Sequence, residues 1–222
     1  MFMSRVALRR DGSAYRALAA QLARGAAYDG GHALVSMLFP DETERSFIWR
    51  DENATRFSAL IVSRQPPADD IGVFEIRTKP YDPALADGDV LQFVVRANPV
   101  VRRRDDSGRL HKHDVAMHAL REVEPSERAS RRVATAREAV WSWFVHQGQR
   151  HGFDAIEAGF DAVGSQQRRI SRGRERDTVE FTSFDLAGSL TVRDPAAFTA
   201  ALYQGIGSAR AYGCGLLLVR RV

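Results

Sequence analysis

The chain holds a single cysteine, Cys214, in 222 residues. It can form neither an internal disulfide nor a zinc site built on paired thiolates, and a reducing cytoplasm is its natural setting. Lysine is nearly as scarce. Only Lys79 and Lys112 are present, so thirty of the 32 Lys+Arg side chains are arginine. No apolar run approaches the ~20 residues needed to cross a bilayer. The opening segment Met1-Phe2-Met3-Ser4-Arg5-Val6-Ala7-Leu8-Arg9-Arg10 carries charges within and after its apolar part, unlike a secretory leader. No membrane partner is expected.

What is present describes an ordinary globular protein. The chain is 44% hydrophobic and 27% charged, which excludes wholesale disorder. Its length suits one large domain or two small ones. The 32 basic side chains exceed the 28 acidic ones by four. Arginine keeps its charge at any working pH and forms planar, bidentate contacts with phosphate, so the composition admits a polyanionic partner. Coding bias in an alanine-rich chain produces the same count, and the total alone does not decide between them.

Along the chain, strands and helices alternate. Phe2 to Arg9 reads as a strand. Ser13 to Arg24 reads as a helix capped by Ser13, and His32 to Phe39 as a second helix stopped by Pro40. Phe47 to Trp49, Phe57 to Val62, Gly72 to Thr78 and Val90 to Ala97 read as strands, the last closed by Asn98-Pro99. The segment 101–132 is polar and carries Arg102-Arg103-Arg104, offset in part by Asp105 and Asp106. It is read as a linker with a basic loop. A helix then spans about Thr135 to His151, strands follow over Phe153 to Val163 and Val179 to Val192, a helix capped by Asp194 covers Pro195 to Tyr203, and Leu216 to Val219 closes the chain as a strand. The predicted fold is α+β, with two tandem ferredoxin-like (RRM-like) domains at 1–100 and 133–222.

Two segments have the composition of a phosphate or nucleic-acid site. Gly205-Ile206-Gly207-Ser208-Ala209-Arg210-Ala211-Tyr212-Gly213-Cys214-Gly215 carries four glycines and one arginine. It reads either as a backbone-amide cradle for a phosphate or as a flexible turn. No Gly-Lys-Ser/Thr step follows, which excludes a Walker-type loop. Gln166-Gln167-Arg168-Arg169-Ile170-Ser171-Arg172-Gly173-Arg174-Glu175-Arg176 sets five arginines against one acid between two extended runs, the pattern of a basic hairpin loop. His111, His113 and His118 lack zinc spacing and have Lys112 between two of them, so no metal is expected. Trp141, Trp143 and Phe144 fall at helical positions and are assigned to the core, and Cys214 to packing.

The glycine-rich ending resembles that of the CasE family, the CRISPR repeat-RNA endoribonucleases of type I-E systems. That family ends in Gly-Ile-Gly, a small spacer, a basic residue, then Gly-Cys-Gly-Leu-Leu. Other landmarks match in order: Met3-Ser4-Arg5-Val6, the His32 helix ending Leu38-Phe39-Pro40, Arg96-Ala97-Asn98-Pro99, Gly152-Phe153, and Gly188-Ser189-Leu190-Thr191-Val192-Arg193-Asp194. The resemblance spans essentially the whole chain.

It implies a metal-independent enzyme that cuts precursor CRISPR RNA within each repeat, beside a hairpin, leaving a 2′,3′-cyclic phosphate. It further implies that the mature guide stays bound in the Cascade complex, with the repeat hairpin and other Cascade subunits as partners and no cofactor. The family histidine falls on His32. Such a reaction uses the neighbouring 2′-hydroxyl as nucleophile, and a group that titrates near neutrality can carry either proton. The family tyrosine stands three residues before the histidine. Here that position is Asp29, and Tyr28 lies one residue further back. Tyr28 is the second catalytic candidate. For RNA contact the resemblance points to Gln167, Arg168, Arg169 and Arg172 of the hairpin, and to Arg210, Gly205, Gly207 and Gly213 of the loop. The shifted tyrosine keeps a second expectation open, a non-catalytic hairpin-binding subunit of the same complex.

Overall fold

The computed structural model describes residues 1–9, 30–40, 46–52, 57–104, 107–171 and 178–222. The predicted helix over Ser13 to Arg24, together with Tyr28, Asp29 and Arg172, lies outside them.

Two four-stranded antiparallel sheets organise the chain. The first is built from β1 (Phe2–Leu8), β2 (Phe47–Asp51), β3 (Ser58–Ser63) and β4 (Phe74–Pro80), in the order β2-β3-β1-β4. Helix α1 (Gly30–Ser36) crosses from β1 to β2. Leu34, Val35 and Leu38 from this helix segment join Val6, Phe47, Trp49, Ile61 and Phe74 in one apolar core. That burial supplies the stability a seven-residue helix cannot generate alone.

The second sheet runs β10-β5-β9-β8, from β5 (Val90–Ala97), β8 (Phe153–Ser171), β9 (Thr178–Val192) and β10 (Leu217–Arg221). Helix α3 (Arg128–His151) connects β5 to β8, and α4 (Pro195–Gln204) connects β9 to β10. Strand, helix, strand, strand, helix, strand in this order is the ferredoxin-like plan. Phe93, Phe144, Phe153, Leu190, Phe198 and Leu202 form its core. Asp194 caps α4 by accepting from the amides of Ala196 and Ala197, both at 3.0 Å. Trp143 and Phe144 are buried, and Trp141 packs edge-on against Phe160. Aromatic residues of α3 therefore serve the core.

Two expectations change. Val90–Ala97, assigned to the first half by position in the chain, is an inner strand of the second sheet, with Val90 opposite Thr191 and Ala97 opposite Phe184. Apolar alternation shows that a strand is buried but not which sheet it joins. The polar segment read as a linker is also structured. It holds the hairpin β6 (Val100–Arg104) and β7 (Leu110–Asp114), then α2 (Val115–Arg121), and α3 begins at Arg128. Asp114 caps α2 through the Met117 amide at 2.9 Å, and Glu127 pairs with Arg131 at 3.1 Å. An exposed hairpin and a solvated first helical turn need no apolar stripe, so hydrophobic periodicity does not register them.

The sheets meet where Ile48 and Val62, on the far face of β2 and β3, pack with Leu216. Among the described residues, no helix is long and apolar enough to cross a membrane.

Candidate functional site

His32 is the third residue of α1, and its Nδ1 is 3.4 Å from the Ser36 hydroxyl. Its ring stands 6.2 Å from that of Phe47, which belongs to the buried core. One flank of the imidazole is thus fixed by packing, and the helix carrying it rests against the 3-10 turn Arg210–Tyr212.

That turn is where the other candidate residues converge. Trp49 Nε1 donates to the Ala211 carbonyl at 3.1 Å, tying the turn to the first sheet. Arg168 donates to the Tyr212 carbonyl at 3.4 Å, and the Tyr212 ring stacks on Phe181 at 5.7 Å between centroids, tying it to β8 and β9 of the second. Arg210 itself donates to the Gln204 carbonyl at 3.0 Å. A cavity of about 380 Å³ opens beside Tyr212 of the turn, lined among others by Gln167, Phe181 and Ser208.

The glycine-rich segment is a strap under close packing. The Ile206 amide donates to the Gly215 carbonyl at 3.0 Å, and the Gly215 amide to the Arg96 carbonyl at 2.6 Å. Gly205 has φ +76°, and a Cβ there would sit 2.9 Å from the Gly215 carbonyl oxygen and inside the Ile48 side chain. Gly207 faces the Trp143 ring and Gly213 the Trp49 ring. Of the two readings open in the sequence, a loosely flexible turn does not describe it. Close approach to its own chain accounts for the glycines.

Arg168 and Arg169 are neighbours in sequence and opposite in situation. Both lie in β8, because the hairpin arms extend as paired strand as far as Ser171, opposite Thr178. Side chains alternate across a strand, so the two face opposite ways. Arg169 is 76% exposed and 3.3 Å from Glu180. Arg168 is 22% exposed and turns inward to Asp51 at 3.5 Å. Alanine at Arg169 is expected to weaken hairpin RNA binding and lower the magnitude of the log–log salt slope by roughly 0.7–0.9 at unchanged melting temperature. Alanine at Arg168 is expected to lower the melting temperature as well. Anisotropy titrations at several salt concentrations, beside thermal melts, check both.

Sequence reasoning missed the charged network into which Arg168 runs. Arg96, 13% exposed, bonds Asp51 through Nη1 and Asp185 through Nε at 3.0 Å, and Arg50 reaches Asp185 at 3.4 Å. Asp51 belongs to the first sheet, Arg96 and Asp185 to the second, so the network spans the junction. Burial works against the Arg96 charge. The Asp185 hydrogen bond and the Asp51 and Asp185 carboxylates outweigh it, and its pKa lies above the ordinary value. Arg50 is shifted the other way, chiefly by burial. A charged residue inside the apolar strand 90–97 was the available signal. Cys214 lies buried in the same region, and burial pushes its thiol up to about 12, against the pull of Arg168 and Arg96. A thiol held protonated is no nucleophile at neutral pH, as its assignment to packing expects.

Two abutting ferredoxin-like units, with a histidine helix and an arginine-bearing turn at their junction, define the class. The chain belongs to the CRISPR-associated protein family, whose model matches residues 1–221. Its fold is similar to that of Thermus thermophilus Cse3 bound to an RNA representing a pre-cleavage complex, at a TM-score of 0.68 and 23% identity over 99% of this chain and 98% of that one. It is similar to Cas6e from Escherichia coli K-12 at a TM-score of 0.61 and 20% identity over the full length of both. It also resembles a chain of a CRISPR RNA-guided surveillance complex in a pre-nicking state, at 0.68 and 16% identity, again over both full lengths. No curated protein sequence matches.

Proposed function

We propose that this protein is the endoribonuclease that cuts precursor CRISPR RNA within the repeat, beside its hairpin, and keeps the mature guide RNA as a Cascade subunit. The observation that carries the reading is the meeting of the helix that bears His32 with the 3-10 turn. That short helix rests against the element that holds Arg210 and accepts from Arg168.

In this reading the 2′-hydroxyl attacks the adjacent phosphorus, the P–O5′ bond breaks, and the upstream fragment keeps a 2′,3′-cyclic phosphate. The proton leaves the 2′-oxygen and one is delivered to the 5′-oxygen, so the protons balance, and the reading assigns no step to a metal. His32 carries one of these protons. Tyr28 is assigned the second proton-handling role. Arg210 stabilises the charge that builds on the non-bridging oxygens. Gln167, Arg168, Arg169 and Arg172 grip the base of the RNA stem, where the groove opens and base edges become reachable. The glycines Gly205, Gly207 and Gly213 shape the strap that presents Arg210 to the RNA backbone.

Incubation of the purified protein with end-labelled repeat hairpin in excess EDTA tests the reading. Cleavage at one position, with the product retained, is the expected result. Tight hairpin binding without cleavage between pH 6 and 9 would point instead to a non-catalytic binding subunit.

A further inference from the structure

A second basic site lies on the other side of the strap. A cleft of about 810 Å³ opens between the β6–β7 hairpin, helices α2 and α3, and the segment 205–210. Its lining includes Arg102, Arg103, Arg150 and Arg210, with His146 and His151. Among the described residues, none of these four arginines is paired with a carboxylate, whereas Arg168 and Arg169 both are. One acid, Glu122, reaches into the cleft, 3.7 Å from His118. Burial and then the positive charges of Arg150 and Arg210 hold His151 below its ordinary pKa.

Four arginines lining one cleft, with Glu122 the one acid among its lining residues, form a site for an anion, and their spread over a hairpin, a long helix and a turn suits a chain of anions better than a single one. The cleft has the volume of a small-ligand pocket, enough for about two nucleotides of one strand. Arg210 belongs both to this lining and to the turn on which α1 rests, so the cleft continues from the proposed cleavage site.

We propose that this cleft holds the backbone phosphates of the single-stranded RNA flanking the repeat hairpin, a site separate from the hairpin-gripping arms. The proposal rests on the function argued above. It gives the protein two RNA grips, one on the stem and one on the strand leaving the scissile bond, with His32 near the point where they meet.

The test uses the full chain and three synthetic RNAs: the repeat hairpin alone, and the same hairpin with a single-stranded extension at its 5′ or its 3′ end. Affinity is read by competition anisotropy across a salt series. One of the two extensions should tighten binding to the native protein by about tenfold, with a log–log salt slope steeper by roughly 2. The triple variant Arg102→Ala, Arg103→Ala, Arg150→Ala should lose that gain while binding the bare hairpin as before. Arg150→Glu, a single surface change, should repeat the loss independently. The proposal is overturned if neither extension improves binding, the result expected if the cleft takes an acidic protein segment instead. Equal loss of bare-hairpin affinity in the variants also overturns it, since the cleft would then hold the stem. Failure of the native protein to bind even the bare hairpin has a different signature. It removes the underlying function, and the proposal with it.

Discussion

Replacing His32 by alanine is expected to slow single-turnover cleavage of the repeat hairpin by about 10²–10⁴-fold while hairpin affinity stays within about twofold. The split between rate and binding follows from where the side chain sits. His32 touches the edge of the first core through Phe47 and lies within reach of Ser36, but α1 is anchored by Leu34, Val35 and Leu38. Removing the imidazole therefore takes away the proposed proton carrier and leaves the helix in place. The hairpin grips proposed here belong to other elements, β8 and the strap. Single-turnover conditions isolate the chemical step, because an enzyme that keeps its product shows slow release otherwise. Equal loss of affinity and rate would mean that His32 holds RNA in place without carrying a proton.

Alanine at Gly215 is expected to act in the opposite manner, lowering stability, binding and cleavage together. Gly215 has φ +90°, and a Cβ there would press into the Ile206 carbonyl and stand 3.1 Å from Arg210 Cγ. Backbone on one side and the strap's own arginine on the other leave little room to yield. Its amide and carbonyl both bond within the strap region, to Arg96 and Ile206. The change should cost about 3 kcal/mol or more, or roughly 6–12 °C in melting temperature for a chain of this size. Because the strap presents the 3-10 turn to α1, hairpin binding and cleavage should fall with it. A melting temperature unchanged from the native protein would show that the strap relaxes and that its glycines are not needed for packing.

The two variants mark what the sequence could and could not disclose. The helix that carries His32 was legible because a glycine pair and Pro40 frame it. The tandem ferredoxin-like plan was legible from strand and helix alternation, and α4 with its Asp194 cap was read nearly residue for residue. Other features depend on pairings distant in the chain. Val90–Ala97 joins the second sheet because it meets residues about ninety positions later. Arg96, Asp51 and Asp185 look like three unrelated charges until the sheets abut. Arg168 and Arg169 look alike in a basic run, and only the strand through Ser171 shows that one turns in to Asp51 and the other out. Arg102 and Arg103 lie half a domain from Arg150 in sequence and line one cleft with it in space. The arginine surplus is thus partitioned among a junction network, exposed hairpin positions and an arginine-lined cleft.

The central claim is that the RNA supplies its own nucleophile and this protein manages the protons. The direct measurement maps the cut made by the native protein in EDTA, then repeats the single-turnover reaction on a hairpin carrying 2′-deoxyribose at the nucleotide 5′ to the scissile phosphate. The expected result is unchanged binding with no cleavage at that position, and a 2′,3′-cyclic phosphate on the product of the unmodified RNA. Undiminished cleavage of the deoxy substrate would contradict the account, because the attacking oxygen would then have to come from elsewhere.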